Sequence, residues 1–123
     1  MRGIEFRGKI VGAEGFVYGK LLAPLASGNA YIAYDVNEVR SFVYISRSEK
    51  VDPETVGQYT GLKDKYGKKI FEGDICWEEH NECYGVVKFE DAKFLYLWEN
   101  IAEDLWEVAD SIEIYGNIHE NPE

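Results

Sequence analysis

Alternation of apolar and polar residues is the first ordered signal along this chain, and it marks strands. Ile4-Glu5-Phe6 alternates over a short extended piece. Glycines at 3, 8, 12, 15 and 19 then cut the chain into brief segments, of which Phe16-Val17-Tyr18 reads as another strand. Lys20 to Asn29 holds Leu21, Leu22 and Leu25 but also Pro24, Ser27, Gly28 and Asn29, so it reads as a loop packed on a core, with room for one helical turn. Tyr31-Ile32-Ala33-Tyr34 and Phe42-Val43-Tyr44-Ile45 are aromatic and β-branched, and Asp35, Asn37 and Glu38 lie between them. That pattern predicts two antiparallel strands at the centre of a first lobe.

Asp52-Pro53-Glu54-Thr55 reads as a linker, because Pro53 holds Asp52 extended and removes one backbone donor. It divides the chain into an N-terminal β lobe, 1–52, and a C-terminal β lobe, 53–123, both parts of one compact unit. The second lobe is expected to use Val56 to Thr60, Ile70 to Trp77, Tyr84 to Phe89 and Phe94 to Trp98, with turns at Lys63 to Lys68, Glu78 to Glu82 and Glu90 to Lys93. Past Trp98 the period is ambiguous. Ile101, Leu105, Val108 and Ala109 fall at helical spacing, yet Leu105 to Val108 also fits a strand, so both readings stand. Ile112-Glu113-Ile114-Tyr115 alternates as a closing strand, followed by a tail with Pro122 near its end. The fold class is therefore all-β with a minor helix, in two small sub-lobes.

Composition narrows the function classes. With 123 residues, 46% hydrophobic and 15% aromatic, the chain has enough apolar mass for a core without disulfide staples. Its apolar runs fall short of the roughly 20 residues a membrane helix needs, and the N-terminus lacks a signal-peptide core, which points to the cytoplasm. Cys76 and Cys83 are expected to remain thiols there. Charge is polarised along the chain: residues 1–70 carry eleven Lys/Arg and eight Asp/Glu, a net +3, whereas residues 71–123 carry two Lys and fifteen Asp/Glu, a net −13. The second half is poorly suited to nucleic-acid phosphates and suits a basic partner; the plain alternative is solubility.

Candidate chemistry is sparse. Lys63, Lys65, Lys68 and Lys69, with Tyr66 among them, form one basic cluster on the expected hairpin turn. It can be read as a solvated tip, as a contact for nucleic-acid phosphate with Tyr66 stacking on a base, or as a contact for the acidic half of a second copy. Cys76, Glu78, Glu79, His80, Glu82 and Cys83 are the nearest approach to a metal set, but Cys-x6-Cys is not a zinc-knuckle spacing, and a hairpin centred near Glu79 and His80 would make the cysteines cross-strand neighbours. A metal-assisted hydrolase would need that set, and neither His80 nor His119 has a visible catalytic partner, so no catalytic residue, cofactor or metal is assigned. Gly61, Gly67 and Gly73 are expected to supply turn or bulge conformations, Asp64 and Asp74 to close Asx-type turns, and Glu72 and Asp74 to share one face of a strand. Tyr31, Tyr34, Phe42, Tyr44, Phe89, Phe94, Tyr96, Trp98 and Trp106 would fill the cores. Alternation along Phe94-Leu95-Tyr96-Leu97-Trp98 makes both faces of that strand apolar, so Phe94, Tyr96 and Trp98 are candidates for contact with a partner subunit in a homo-oligomer.

These residues carry a resemblance. Val56-Gly57-Gln58-Tyr59-Thr60-Gly61-Leu62-Lys63-Asp64, then Gly67-Lys68, then Ile70-Phe71-Glu72-Gly73-Asp74-Ile75, resembles the hallmark segment of the YopX family of small phage and prophage proteins. Arg2, Ile4, Phe6 and Arg7 resemble that family's opening, with Gly8 standing where an aromatic residue is usual, and Ile114 to Pro122 is similar to its closing phrase. The resemblance implies an all-β protein whose later lobe is an SH3-like barrel, and it brings no established activity. Together with the composition it points to a non-enzymatic interaction or assembly module, with nucleic-acid contact through the lysine hairpin as the alternative.

Overall fold

Eleven strands and one helical turn follow each other in a computed structural model that describes residues 4–22 and 25–120. Arg2, Pro24, Asn121 and Pro122, which entered the sequence reading, lie outside the described residues. The chain divides into two units, Met1–Gln58 and Tyr59–Glu123. No helix among the described residues is long and apolar enough to cross a membrane.

The first unit holds β1 (Phe6–Lys9), β2 (Phe16–Leu22), β3 (Ala30–Val39) and β4 (Phe42–Val51), joined as an antiparallel sheet in the order β4-β3-β2-β1. β2 runs through Leu22, so the start of the expected loop is strand, and only the turn before Asn29 matches that reading. β3 and β4 pair from Ala30↔Val51 to Val39↔Phe42, which makes Asp35, Asn37 and Glu38 part of a strand instead of a turn. The reversal falls on Arg40, at φ 56, in the left-handed region that tight hairpin turns require. Ala30, Ile32 and Val51 form the buried core, with Phe6, Val17, Leu21 and Val56 against it. Arg7 is buried as well, its guanidinium 5.1 Å from the Phe16 ring centroid.

Pro53–Thr55 is a 3-10 turn tied back to β1. Asp52 caps it by accepting from Glu54 N at 3.0 Å, and Thr55 Oγ1 accepts from Lys9 N at 2.8 Å. These bonds place the proline segment within the first unit, and the units divide after Gln58, downstream of it. β5 (Gly57–Lys63) starts against β1 at Arg7↔Gly57 and Phe6↔Gln58, and its later residues pair with β6 (Lys69–Phe71).

In the second unit β7 (Asp74–Glu78), β8 (Cys83–Glu90), β9 (Lys93–Trp98), β10 (Ile101–Asp104) and β11 (Ile112–Asn117) form an antiparallel sheet in the order β10-β9-β8-β7-β11. The sheet ends on β10 and β11, and no closed barrel is found among the described residues, so the SH3-like closure implied by the resemblance is not confirmed. Between β10 and β11 lie one α-helical turn, α1 (Leu105–Val108), and a 3-10 turn at Ala109–Ser111, which settles the ambiguous stretch as strand followed by helical turns. Ile70, Cys76, Val87, Tyr96, Leu105, Ala109 and Ile112 form the core.

Two expectations need correction here. Ile70 to Trp77 is not one strand: the Asp74 carboxylate reaches back to accept from Phe71 N at 2.8 Å, closing a turn at Glu72-Gly73, so Glu72 and Asp74 flank a reversal and do not share a strand face. Nor do the aromatic residues all serve the cores. Phe42, Tyr44, Tyr34, Phe89 and Trp106 are exposed.

Candidate functional site

The lysine hairpin between β5 and β6 is built around one buried carboxylate. Asp64 Oδ1 accepts from Tyr66 N and Lys68 N, both at 2.9 Å, which closes the expected Asx-type turn. Its other oxygen, Oδ2, accepts from Ile114 N at 3.0 Å, and Lys65 N donates to Ile112 O at 3.0 Å. The turn is thereby clamped onto the outer side of β11, occupying part of a sheet edge. Gly61, Gly67 and Gly73 have φ of 87, 82 and 94, all in the left-handed region that a β-carbon disfavours. At Gly73 the chain turns close to β8, donating from its N–H to Val87 O at 2.8 Å and accepting from Ile118 N at 3.0 Å. Asp74 is buried and pairs in register with Asn117, whose side chain takes the N–H groups of His119 and Glu120. The central motif and the closing phrase thus meet in one bonded cluster.

These elements correspond to the pattern of the YopX protein family, which matches residues 5–123. The chain belongs to the YopX family. The fold of this YopX-family chain is also similar to that in "Crystal structure of protein EF1440 from Enterococcus faecalis", with a TM-score of 0.70 and 20% sequence identity over 100% of this chain and 98% of that one. At that identity the likeness concerns the fold. No curated protein matches the chain.

The lysines of this YopX hairpin do not form one open basic patch. Lys63 and Lys68 are exposed, with Tyr66 beside them, but Lys65 Nζ lies 3.1 Å from Glu79 Oε2 and Lys69 sits over the Tyr59 ring at 5.3 Å. The Glu79 hydrogen bond and charge hold Lys65 protonated to higher pH than usual, against the pull of partial burial. β9 is committed inward. Tyr96 is fully buried and donates its hydroxyl to Cys76 O at 3.0 Å, Phe94 and Trp98 pack on the same core, and Trp98 Nε1 donates to Glu103 at 2.6 Å. Burial pushes the Tyr96 hydroxyl well above its usual pKa. The face carrying Phe94, Tyr96 and Trp98 is therefore filled by the chain itself, and Leu95 is also buried.

The β7–β8 hairpin holds Cys76 opposite Gly85 and Cys83 opposite Glu78, so the two thiols are diagonal neighbours, and neither is in a disulfide. Burial and the facing Glu78 charge raise the Cys83 thiol pKa, the opposite of what an activated nucleophile needs. Among the described residues no group of three His, Cys, Asp or Glu is placed to hold a metal ion. Glu78 has a structural task. Burial pushes its carboxyl up, but the N–H groups of His80 and Asn81 at 2.8 and 3.0 Å, with the Asn81 side-chain amide at 2.6 Å and the His80 charge, outweigh it and leave the pKa below the ordinary 4.5. A lowered pKa means that this stabilisation is complete above about pH 4.5 and is lost as pH falls through the folded-state value. Glu78→Gln is accordingly expected to lower the urea midpoint at neutral pH, with the gap to the native chain closing on acidification; a gap that stays constant would contradict this assignment.

Sequence reasoning missed the distal half of β3 and β4. β2 pairs with β3 only over Tyr31 to Ala33, so from Tyr34 onward β3 has β4 alone beside it in the described register. Val36, Val39, Phe42, Val43, Tyr44 and Ile45 are all exposed there, Phe42 at 73% and Val43 at 67%. Phe42 faces Val39 across the ribbon, and Ile45 faces Val36. The legible signal was the unbroken apolar run from Phe42 to Ile45, which lacks the alternation of a half-buried strand.

Proposed function

We propose that the protein is a non-enzymatic association module, and that the distal β3–β4 ribbon joins it to a second copy of the same chain. The observation that carries this reading is the six exposed apolar side chains on a two-stranded ribbon whose outer strand, β4, is a sheet edge. Such a ribbon is marginal in water by itself, and its unpaired backbone groups are a template for another strand. A second β4, laid antiparallel about a two-fold axis through Tyr44, sets Val43 opposite Ile45 in both directions. Arg47, Glu49 and Lys50 then fall outside the apolar overlap and no like charges oppose each other. Four strands would replace two, pairing the open backbone edge and setting apolar side chains of the two β4 strands beside each other across it.

Sedimentation equilibrium tests the proposal. The native chain should shift from monomer toward dimer as concentration rises. Val43→Glu, a change at an exposed position, should hold it monomeric with an unchanged melting temperature. A native chain that stays monomeric to its solubility limit, or a Val43→Glu chain that dimerises equally well, would overturn the reading.

A further inference from the structure

Pairing through β4 covers an edge and leaves both faces of the ribbon open. From Val36↔Ile45 to Val39↔Phe42 the β3–β4 register runs without a shift, so side chains alternate regularly between those faces. One face carries Val39, Phe42 and Tyr44 together with Asn37, whose side chain bonds to Asp35 and Ser46. The other carries Val36, Val43 and Ile45, with Glu38 at one corner. That second face is aliphatic and β-branched, and all three of its apolar side chains are exposed at 42% or more.

Two copies paired about Tyr44 double this face. Val36 and Ile45 of one copy come into line with Val43 and Glu38 of the other, and the two-fold axis repeats that row in reverse. Three aliphatic side chains from each copy then form one unbroken patch, with Glu38 at two opposite corners. The edge contact is short by comparison: the residues from Phe42 to Ser46 stand against about 20 a side in a standard interface. A sheet with such a face buries it against another layer, and two twisted sheets stack with their strands aligned to within about 30°.

We infer that the face of Val36, Val43 and Ile45 is covered by the same face of a second strand-paired dimer, giving a tetramer with a two-layer β core. The inference rests on the self-association reading and adds the partner of its open face. Two-fold axes in the plane of the sheet set each Glu38 over a Val36 of the other layer, never over another Glu38. Like charges stay apart, and each carboxylate sits at a corner where it reaches water. The opposite face is less suited to stacking, because the polar Asn37 and Ser46 side chains would go under the second layer with the aromatic rings.

Sedimentation equilibrium of the full chain over a wide concentration range separates the two steps. The native chain should pass through dimer to tetramer. Val36→Asp, on β3 and away from the pairing edge, should dimerise as the native chain does and weaken tetramer formation about tenfold or more. Val39→Asp, the same change on the opposite face, should leave the tetramer intact. Melting temperatures confirm that both variants are folded. A native chain that stops at the dimer overturns the inference and leaves the face to a foreign helix or a lipid surface. Equal tetramer formation by Val36→Asp, or its loss in Val39→Asp alone, overturns the choice of face. A native chain that stays monomeric overturns the self-association reading itself, and the inference with it.

Discussion

Asp64→Ala should cost the fold about 4 kcal/mol, because one carboxylate serves three backbone donors. Hydrogen bonds to a charged acceptor contribute roughly 1.5 to 3 kcal/mol each. The full sum is not expected, since Tyr66 and Lys68 lie on an exposed turn and their N–H groups can turn to water once the acceptor is gone. Ile114 N, within β11, donates to Asp64 Oδ2 at 3.0 Å and is part-buried, so water replaces that acceptor less readily. Asp64→Asn separates the contributions: its carbonyl oxygen keeps the two turn bonds, while its amide presents a donor to the Ile114 donor, so about half the loss should remain. Urea unfolding at neutral pH reads both values. Losses of less than about 1 kcal/mol in both variants would show that the hairpin tip is not clamped as described.

Gly85→Ala is the second large effect, and its cause is steric. A β-carbon at Gly85 would lie 2.4 Å from Cζ and 2.7 Å from Cε1 and Cε2 of Tyr96. That ring has little freedom to retreat, being fully buried with its hydroxyl bonded to Cys76 O. Overpacking of this kind costs about 3 kcal/mol. Tyr96→Leu alone should be destabilising too, because it leaves a cavity and removes the hydroxyl bond to Cys76 O. Combined, the two changes should cost clearly less than the sum of the single losses, since the new methyl group fills part of the space the ring vacates. Strict additivity would mean that the two residues are not in contact.

Strand existence was largely legible in the sequence, and strand extent was not. The runs Tyr84 to Phe89 and Phe94 to Trp98 became β8 and β9 nearly as read, because a two-residue reversal at Asp91-Ala92 leaves the pattern uninterrupted on both sides. Asp35 and Asn37 misled the reading of β3. Their side chains bond along and across the ribbon, Asn37 Nδ2 to Asp35 Oδ1 and to Ser46 Oγ, so polar residues that favour turns were absorbed into a strand. The break at Glu72-Gly73 lies inside the run read as one strand, although Gly73 and Asp74 carry turn chemistry; the apolar residues on both sides masked it, and the bond from Phe71 N to Asp74 closes it.

The candidate surfaces were harder to read because burial is not local. Phe94, Tyr96 and Trp98 looked available to a partner, yet α1 supplies Leu105 to the same core and helps close over them. Phe42 and Tyr44 looked like core residues, yet the neighbouring strand β2 stops short of them. Val36, Val43 and Ile45 come from two strands, and only the β3–β4 register puts them on one face. The glycines and Asp64 of the family motif could be read in advance as turn chemistry, because their requirement is set by the backbone within a few residues.

Amide hydrogen exchange along β4, followed as protein concentration is raised, tests the association account most directly. Pairing of a second β4 at the edge predicts that alternate amides between Phe42 and Ser46, those directed away from β3, exchange more slowly at high concentration. Amides in the second unit should be unaffected, and Val43→Glu should abolish the effect. Exchange at those positions that is independent of concentration would contradict it.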